Sequence, residues 1–270
     1  MKTIVFVHGM FQNPKSWENW VRFFSERGYD CKAPAWPLHE GDPKALRHNP
    51  PVGLGELSLD EIYNSIAATV ATLDQPIVTG HSVGGLIAQK LLARGVVSGA
   101  VAISYVAPNA MLDFDWGFIK NSAIITNPFK GDEPVYMDAK TFHGAFANTL
   151  SEDQATAAFE QTATHDSRNV LRDCMGKSGR IDLARPYAPL LLIAAEEEVI
   201  IPADLCEKRS PIFVPGLPPS ASGRTGWRRR HLEATFTPGS GSQQPLQRRT
   251  FSAGSCNGCA SAPRPRLPCR

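Results

Sequence analysis

The stretch that decides the fold is residues 77–85, which read IVTGHSVGG. The run at residues 76–79 is short, apolar and rich in β-branched side chains, which predicts a buried strand. Residues 83–94 are largely apolar and are followed by Gly95, which predicts a helix that ends there. Ser82 therefore stands at a turn between a strand and a helix.

The glycines around this serine give the turn a chemical meaning. Gly80, Ser82 and Gly84 fit the Gly-x-Ser-x-Gly pattern, in which a sharp strand-to-helix turn presents the serine as a nucleophile. Glycine at both flanking positions lets the backbones pass closely. The strand before Ser82 and the helix after it are the context that this chemistry requires.

A serine nucleophile also needs donors for the oxyanion that forms on the attacked carbonyl. The first N–H groups of the helix, beginning with Val83, have no partner within the helix and point towards the serine. A second donor is expected from His8-Gly9-Met10, which follows the predicted strand Thr3–Val7 and offers the backbone N–H of Met10.

The remaining pattern predicts an α/β fold, because strands alternate with helices at a spacing typical of a parallel sheet covered on both faces. Residues 108–185 lack this alternation and predict a helical insertion, or cap, over one end of the sheet. The predicted elements are a helix from Asn13 to Gly28, a strand at 30–36, a loop through Gly55, a helix behind the capping box Ser58–Glu61, a strand at 97–106, cap helices near 151–164 and 167–174, and a last strand at 189–194.

With these motifs, the chain resembles the α/β-hydrolase fold superfamily, and in particular small serine esterases, lipases and hydroxynitrile lyases. The resemblance covers about residues 3–208 and includes the cap. It implies a catalytic triad in the chain order serine, acid, histidine, with the acid after a late strand.

The resemblance implies an acid and a base in the last part of the chain. After the strand at 189–194, the family spacing puts Glu198 where an aspartate is usual. The histidine is then expected 25–35 residues later, and His231 is the histidine in that region. The family's final strand and helix are not recognisable around His231, and the neighbouring residues 228–230 are three arginines.

Other histidines are weaker candidates for the base. His81 adjoins Ser82, and neighbours at an elbow point in different directions, so we expect His81 to be structural. His8 belongs to the loop after the first strand. The rest fall in the loop after the second strand or in the cap: His39, His48, His143 and His165.

The charge is divided unevenly along the chain. Residues 1–208 contain 18 basic and 25 acidic side chains, whereas residues 209–270 contain ten arginines and a single acid, Glu233. Proline, glycine, serine and arginine dominate this tail, which predicts a disordered segment outside the 1–208 core. We interpret it as sequence translated out of frame; nucleic-acid binding is the alternative, with few interleaved aromatic residues to support it.

These observations predict a serine hydrolase for small, mostly apolar carboxylic esters, with activity impaired if the tail has replaced the base. Two alternatives stay open: a hydroxynitrile lyase, for which Lys120, Lys130 or Lys140 would assist cyanide release, and a binding module of low activity. We expect a small-molecule substrate, no cofactor or metal, no nucleic-acid partner and no membrane span. The N-terminal run lacks a cleavage site, so a cytoplasmic protein is expected.

Overall fold

The computed structural model describes residues 1–106, 128–182 and 188–195. Five strands form one sheet in the order β2-β1-β3-β4-β5, and each neighbouring pair runs parallel. The predicted α/β class with a parallel sheet is confirmed. The strands are β1 (Thr3–Val7), β2 (Asp30–Lys32), β3 (Ile77–His81), β4 (Gly99–Ile103) and β5 (Leu190–Ile193).

Seven α-helices lie in the described ranges, and three of them fall between β4 and β5. Among all the helices in the described ranges, none is long and apolar enough to span a bilayer. The helices are α1 (Glu18–Ser25), α2 (Pro43–His48), α3 (Leu59–Ala71), α4 (Val83–Ala93), α5 (Ala139–Phe146), α6 (Glu152–Thr162) and α7 (Arg168–Met175), with short 3-10 turns at Pro14–Trp17, Leu54–Glu56 and Pro128–Lys130. α6 and α7 match the two predicted cap helices.

The alternation of side chains along β1 shows how the sheet is covered. Ile4 and Phe6 pack with Trp17 and with residues of α1 on one face. Val5 and Val7 point to the opposite face and join the larger apolar cluster, to which α3 and α4 contribute. Both faces of the sheet are therefore buried, as the alternation of strands and helices predicts.

Two predicted boundaries are wrong. β2 ends at Lys32 instead of continuing to Trp36. Pro34 has no N–H for a ladder, and the Trp36 N–H donates to the His8 imidazole instead. The predicted loop through Gly55 contains α2, which begins after Asp42, whose carboxylate accepts the Ala45 N–H.

α2 connects the loop after β2 to the insertion through Arg47. The Arg47 guanidinium donates to the carbonyls of Phe159 and Ala163, at 3.0 and 2.7 Å, where α6 ends. It lies 4.2 Å from the Phe159 ring centroid and 3.1 Å from the Glu160 carboxylate. Because the side chain is only 6% exposed, these contacts are shielded from solvent.

We predict that Arg47→Ala lowers the free energy of unfolding by about 2–3 kcal/mol, because two buried carbonyls lose a charged donor. Lys44→Ala is the matched control. Lys44 lies 3.8 Å from the same Glu160 but is 64% exposed, so its loss is expected to cost under about 0.5 kcal/mol. Urea unfolding of both variants measures the difference, and equal losses would contradict the role given to Arg47.

Candidate active site

Ser82 lies in the sharp turn between β3 and α4. Its backbone has φ 54° and ψ −119°, in the left-handed half of conformational space that a serine rarely adopts. The neighbouring strand stabilises this conformation. The Ser82 N–H donates to the Ile103 carbonyl at 3.0 Å, and the Ser82 carbonyl accepts from the N–H groups of Gly85 and Val106 at 3.0 and 3.1 Å.

The glycines of the turn lie where a side chain has no room. A Cβ added at Gly80 would lie 2.0 Å from the Gly84 carbonyl oxygen. A Cβ added at Gly84 would lie 2.2 Å from the carbonyl oxygen of Val7, at the end of β1. The turn therefore packs backbone to backbone, as the spacing of its glycines predicts.

The loop that follows β1, residues 8–12 (the β1 loop), lies against Ser82. A Cβ added at Gly9 would lie 2.9 Å from the Ser82 Cβ and 3.0 Å from the His81 carbonyl oxygen. Met10, the next residue, is 6% exposed, and Val83 is 1% exposed. Within the described ranges, no hydrogen bond uses the backbone N–H of Met10 or Val83.

His8 is fixed in one neutral form. Its Nδ1 donates to the Gly9 carbonyl at 2.9 Å, so Nε2 is the acceptor of the Trp36 N–H at 3.2 Å. The imidazole of His8 and the indole of Trp36 stack with centroids 4.5 Å apart. Burial, reinforced by the nearby positive charge of His39, lowers the pKa of His8 to about 3. His8 therefore supports the β1 loop and does not titrate near neutrality.

Six of the seven histidines lie in described ranges, and no hydrogen bond there joins a histidine to the Ser82 hydroxyl. Five of them form hydrogen bonds with other groups. Their partners are Gly9 and Trp36 for His8, Pro37 for His39, Lys44 for His48, Leu150 for His143, and Met137 and Arg47 for His165. The seventh, His231, lies outside the described residues.

Glu198 and the tail from residue 209 also lie outside the described residues. β5 pairs with β4 up to Ile193, and the Ser104 N–H donates to the Ile193 carbonyl at 2.8 Å. Because parallel strands end at one edge of a sheet, β5 ends at the edge that carries Ser82. The described chain stops at Ala195, three residues before Glu198.

One contact of the β1 loop was not predicted. The Phe11 N–H donates at 2.8 Å to the carboxylate of Asp166, which is completely buried and lies 3.5 Å from the His39 imidazole. Local sequence gives no signal for it. Asp166 immediately precedes Ser167, the N-cap of α7, and such a position usually indicates a polar surface turn.

Comparison with known proteins supports the fold. The sequence profile of the alpha/beta hydrolase family matches residues 4–242, a range that includes Ser82, Glu198 and His231. No curated protein sequence matches the chain.

Solved structures of similar fold share few residues with this chain. An extracellular alpha/beta-hydrolase from a Paenibacillus species, described as sharing structural and functional homology with tobacco salicylic acid binding protein 2, is 18% identical with a TM-score of 0.57, over 75% of this chain and 81% of that chain. Polyneuridine aldehyde esterase is 16% identical with a TM-score of 0.57, over 77% and 85%. A pyrethroid hydrolase from Sphingobium faniae JZ-2 is 18% identical with a TM-score of 0.53, over 80% and 86%.

The burial of neutral His8 predicts a specific pH dependence of stability. Below pH 6.5 the unfolded chain binds a proton that folded His8 cannot bind until about pH 3, so stability is lost as the pH falls through this window. His8→Gln keeps an acceptor for Trp36 but does not titrate. The stability advantage of the unmodified protein over His8→Gln should therefore shrink by about 2 kcal/mol between pH 6.5 and pH 5. Denaturant unfolding at both pH values tests this, and a constant advantage would contradict it.

Proposed function

Because the chain belongs to the alpha/beta hydrolase family, we propose that it is a serine hydrolase that cleaves small, mostly apolar carboxylic esters with Ser82 as the nucleophile. The observation that carries the proposal is the left-handed Ser82 backbone at the β3–α4 turn, with Gly9 against its Cβ. A strained conformation at a residue with reactive chemistry is typical of a functional site.

The proposed reaction follows from the groups around this turn. The Ser82 Oγ attacks the ester carbonyl, its proton passes to the base, and the carbonyl oxygen becomes an oxyanion. The N–H groups of Met10 and Val83, which lack other acceptors among the described residues, donate to that oxyanion. The alcohol leaves with the proton from the base, and water then hydrolyses the acyl-enzyme by the same route.

In this proposal His231 is the base and Glu198 orients it. Five of the six described histidines are hydrogen-bonded elsewhere, and His81 adjoins the nucleophile, which supports His231 by elimination. Glu198 comes shortly after β5 in the sequence, and β5 ends at the edge of the sheet that carries Ser82. A carboxylate on the far side of the imidazole fixes its tautomer and stabilises the imidazolium that forms.

The ester class is proposed by analogy of fold, since polyneuridine aldehyde esterase has a similar fold. The apolar preference rests on the apolar character of the two residues proposed as oxyanion donors, Met10 in the β1 loop and Val83 at the start of α4. The lyase alternative has less support. Lys130 pairs with Glu133 at 3.1 Å and is half exposed, Lys140 is exposed, and Lys120 lies outside the described residues.

We predict that Ser82→Ala lowers hydrolysis of a p-nitrophenyl ester by at least about 1,000-fold, since the loss of a triad nucleophile removes covalent catalysis. Ser98→Ala is the matched control, because Ser98 precedes β4 at the opposite edge of the sheet. A fluorophosphonate probe should label the unmodified protein and Ser98→Ala but not Ser82→Ala. Labelling of Ser82→Ala at the same rate would refute the assignment.

The base is tested separately, because triad members act as one unit and their losses do not add. If His231 accepts the Ser82 proton, His231→Ala should lose about as much activity as Ser82→Ala, and the double variant should lose no more than either. If His231→Ala keeps its hydrolysis rate while Ser82→Ala loses it, His231 is not the base. The protein would then be a serine hydrolase with impaired turnover.

A further inference from the structure

The β1 loop is hydrogen-bonded to the insertion through its backbone. Phe11 has φ 61°, a left-handed conformation that a phenylalanine avoids unless its surroundings impose it. Its N–H donates to Asp166 at 2.8 Å, and its carbonyl accepts the Thr164 N–H at 3.0 Å. The Thr164 hydroxyl donates to the Gln12 carbonyl at 3.3 Å. The segment from Thr164 to Asp166 thus fixes the residue that directly follows Met10.

Asp166 itself has little freedom to move. One carboxylate oxygen accepts the Phe11 N–H, and the other accepts the Ser167 N–H at 2.8 Å. Its backbone pairs with Val135 in both directions, at 2.8 and 3.1 Å. The side chain is completely buried. The position of the carboxylate therefore determines the position of the loop backbone.

A buried carboxylate requires a compensating charge, and His39 supplies one. The His39 Nε2 lies 3.5 Å from the carboxylate, and its Nδ1 donates to the Pro37 carbonyl at 3.0 Å. Because Nδ1 carries a proton, the Nε2 of a neutral ring would direct its lone pair at the carboxylate, and this repulsion favours a protonated Nε2. Burial lowers the pKa of His39, but the charge of Asp166 at 3.5 Å outweighs burial, assisted by the Pro37 carbonyl and Glu40, and the pKa is raised.

We propose that Asp166 and His39 form a positioning pair for the oxyanion hole: His39 neutralises the carboxylate, and the carboxylate anchors the Met10–Phe11 peptide, which restrains the adjoining Gly9–Met10 peptide that carries the Met10 N–H. The insertion thus helps to build the site in which Ser82 reacts. This inference rests on the proposed function, in which Met10 is an oxyanion donor.

The test compares three folded variants by ester kinetics. Asp166→Ala should lower kcat about 10- to 100-fold with KM changed less than about threefold, because a displaced oxyanion donor weakens transition-state stabilisation more than substrate binding. Asp166→Asn should keep a higher kcat than Asp166→Ala, because its single amide oxygen can still accept the Phe11 N–H although the Ser167 N–H loses its acceptor. Asp173→Ala is the matched control: Asp173 accepts the Leu59 N–H at 3.0 Å, the same kind of bond from the insertion to another element. Its kcat should stay within about threefold.

Amide hydrogen exchange provides a readout that does not depend on activity. Exchange in residues 8–12 should accelerate at least tenfold in Asp166→Ala and remain unchanged in Asp173→Ala. If Asp166→Ala does not fold, Asp166→Gln replaces it, since the longer amide displaces the acceptor and should give a lower kcat than Asp166→Asn.

The outcomes separate the two proposals. No hydrolysis and no probe labelling in the unmodified protein would overturn the proposed function, while exchange still tests the attachment of the loop. Normal kcat and normal exchange in Asp166→Ala, or equal losses in Asp173→Ala, would overturn the positioning pair.

Discussion

The site depends on the close approach of two backbones, the β3–α4 turn and the end of β1. The Cβ positions at Gly80 and Gly84 are already occupied by carbonyl oxygens, at 2.0 and 2.2 Å. A third glycine of the turn, Gly85, faces the Tyr105 side chain, where an added Cβ would lie 2.7 Å away. Since β1 and β3 are neighbours in the sheet, the close approach of Gly84 to Val7 brings the β1 loop next to Ser82.

The parts of the molecule that depend on local chemistry could be predicted from the sequence. The Ser58–Glu61 capping box forms as predicted, and Gly95 ends α4 with φ 71°. The sequence does not predict α2, although Asp42-Pro43 carries the same start signal as Asn13-Pro14, because the prolines and glycines around it are typical of a loop. Propensity is a weak guide where a short helix is stabilised by distant partners, as Arg47 stabilises α2 here.

The pKa values of His8 and His39 could not be predicted from the sequence, because they depend on burial and on partners distant in the chain. His8 and His39 lie with ring centroids 5.8 Å apart, yet burial lowers the pKa of one while a carboxylate raises the pKa of the other. The difference is their hydrogen bonding: both nitrogens of His8 are used by backbone groups, whereas one nitrogen of His39 faces Asp166. Glu198 and His231 lie outside the described residues, so their roles stay predictions.

The conformation of Phe11 explains why a charged pair, Asp166 and His39, lies next to the β1 loop where apolar side chains could otherwise pack. In the left-handed turn the Phe11 N–H has no acceptor within the loop, and an apolar neighbour would leave it buried and unpaired at a cost of about 1–3 kcal/mol. A carboxylate satisfies that donor but brings a buried charge, which His39 offsets. Thr164 satisfies two carbonyls of the same loop. Because the bonds from Thr164 and Asp166 all come from the insertion, the β1 loop and the insertion are constrained together.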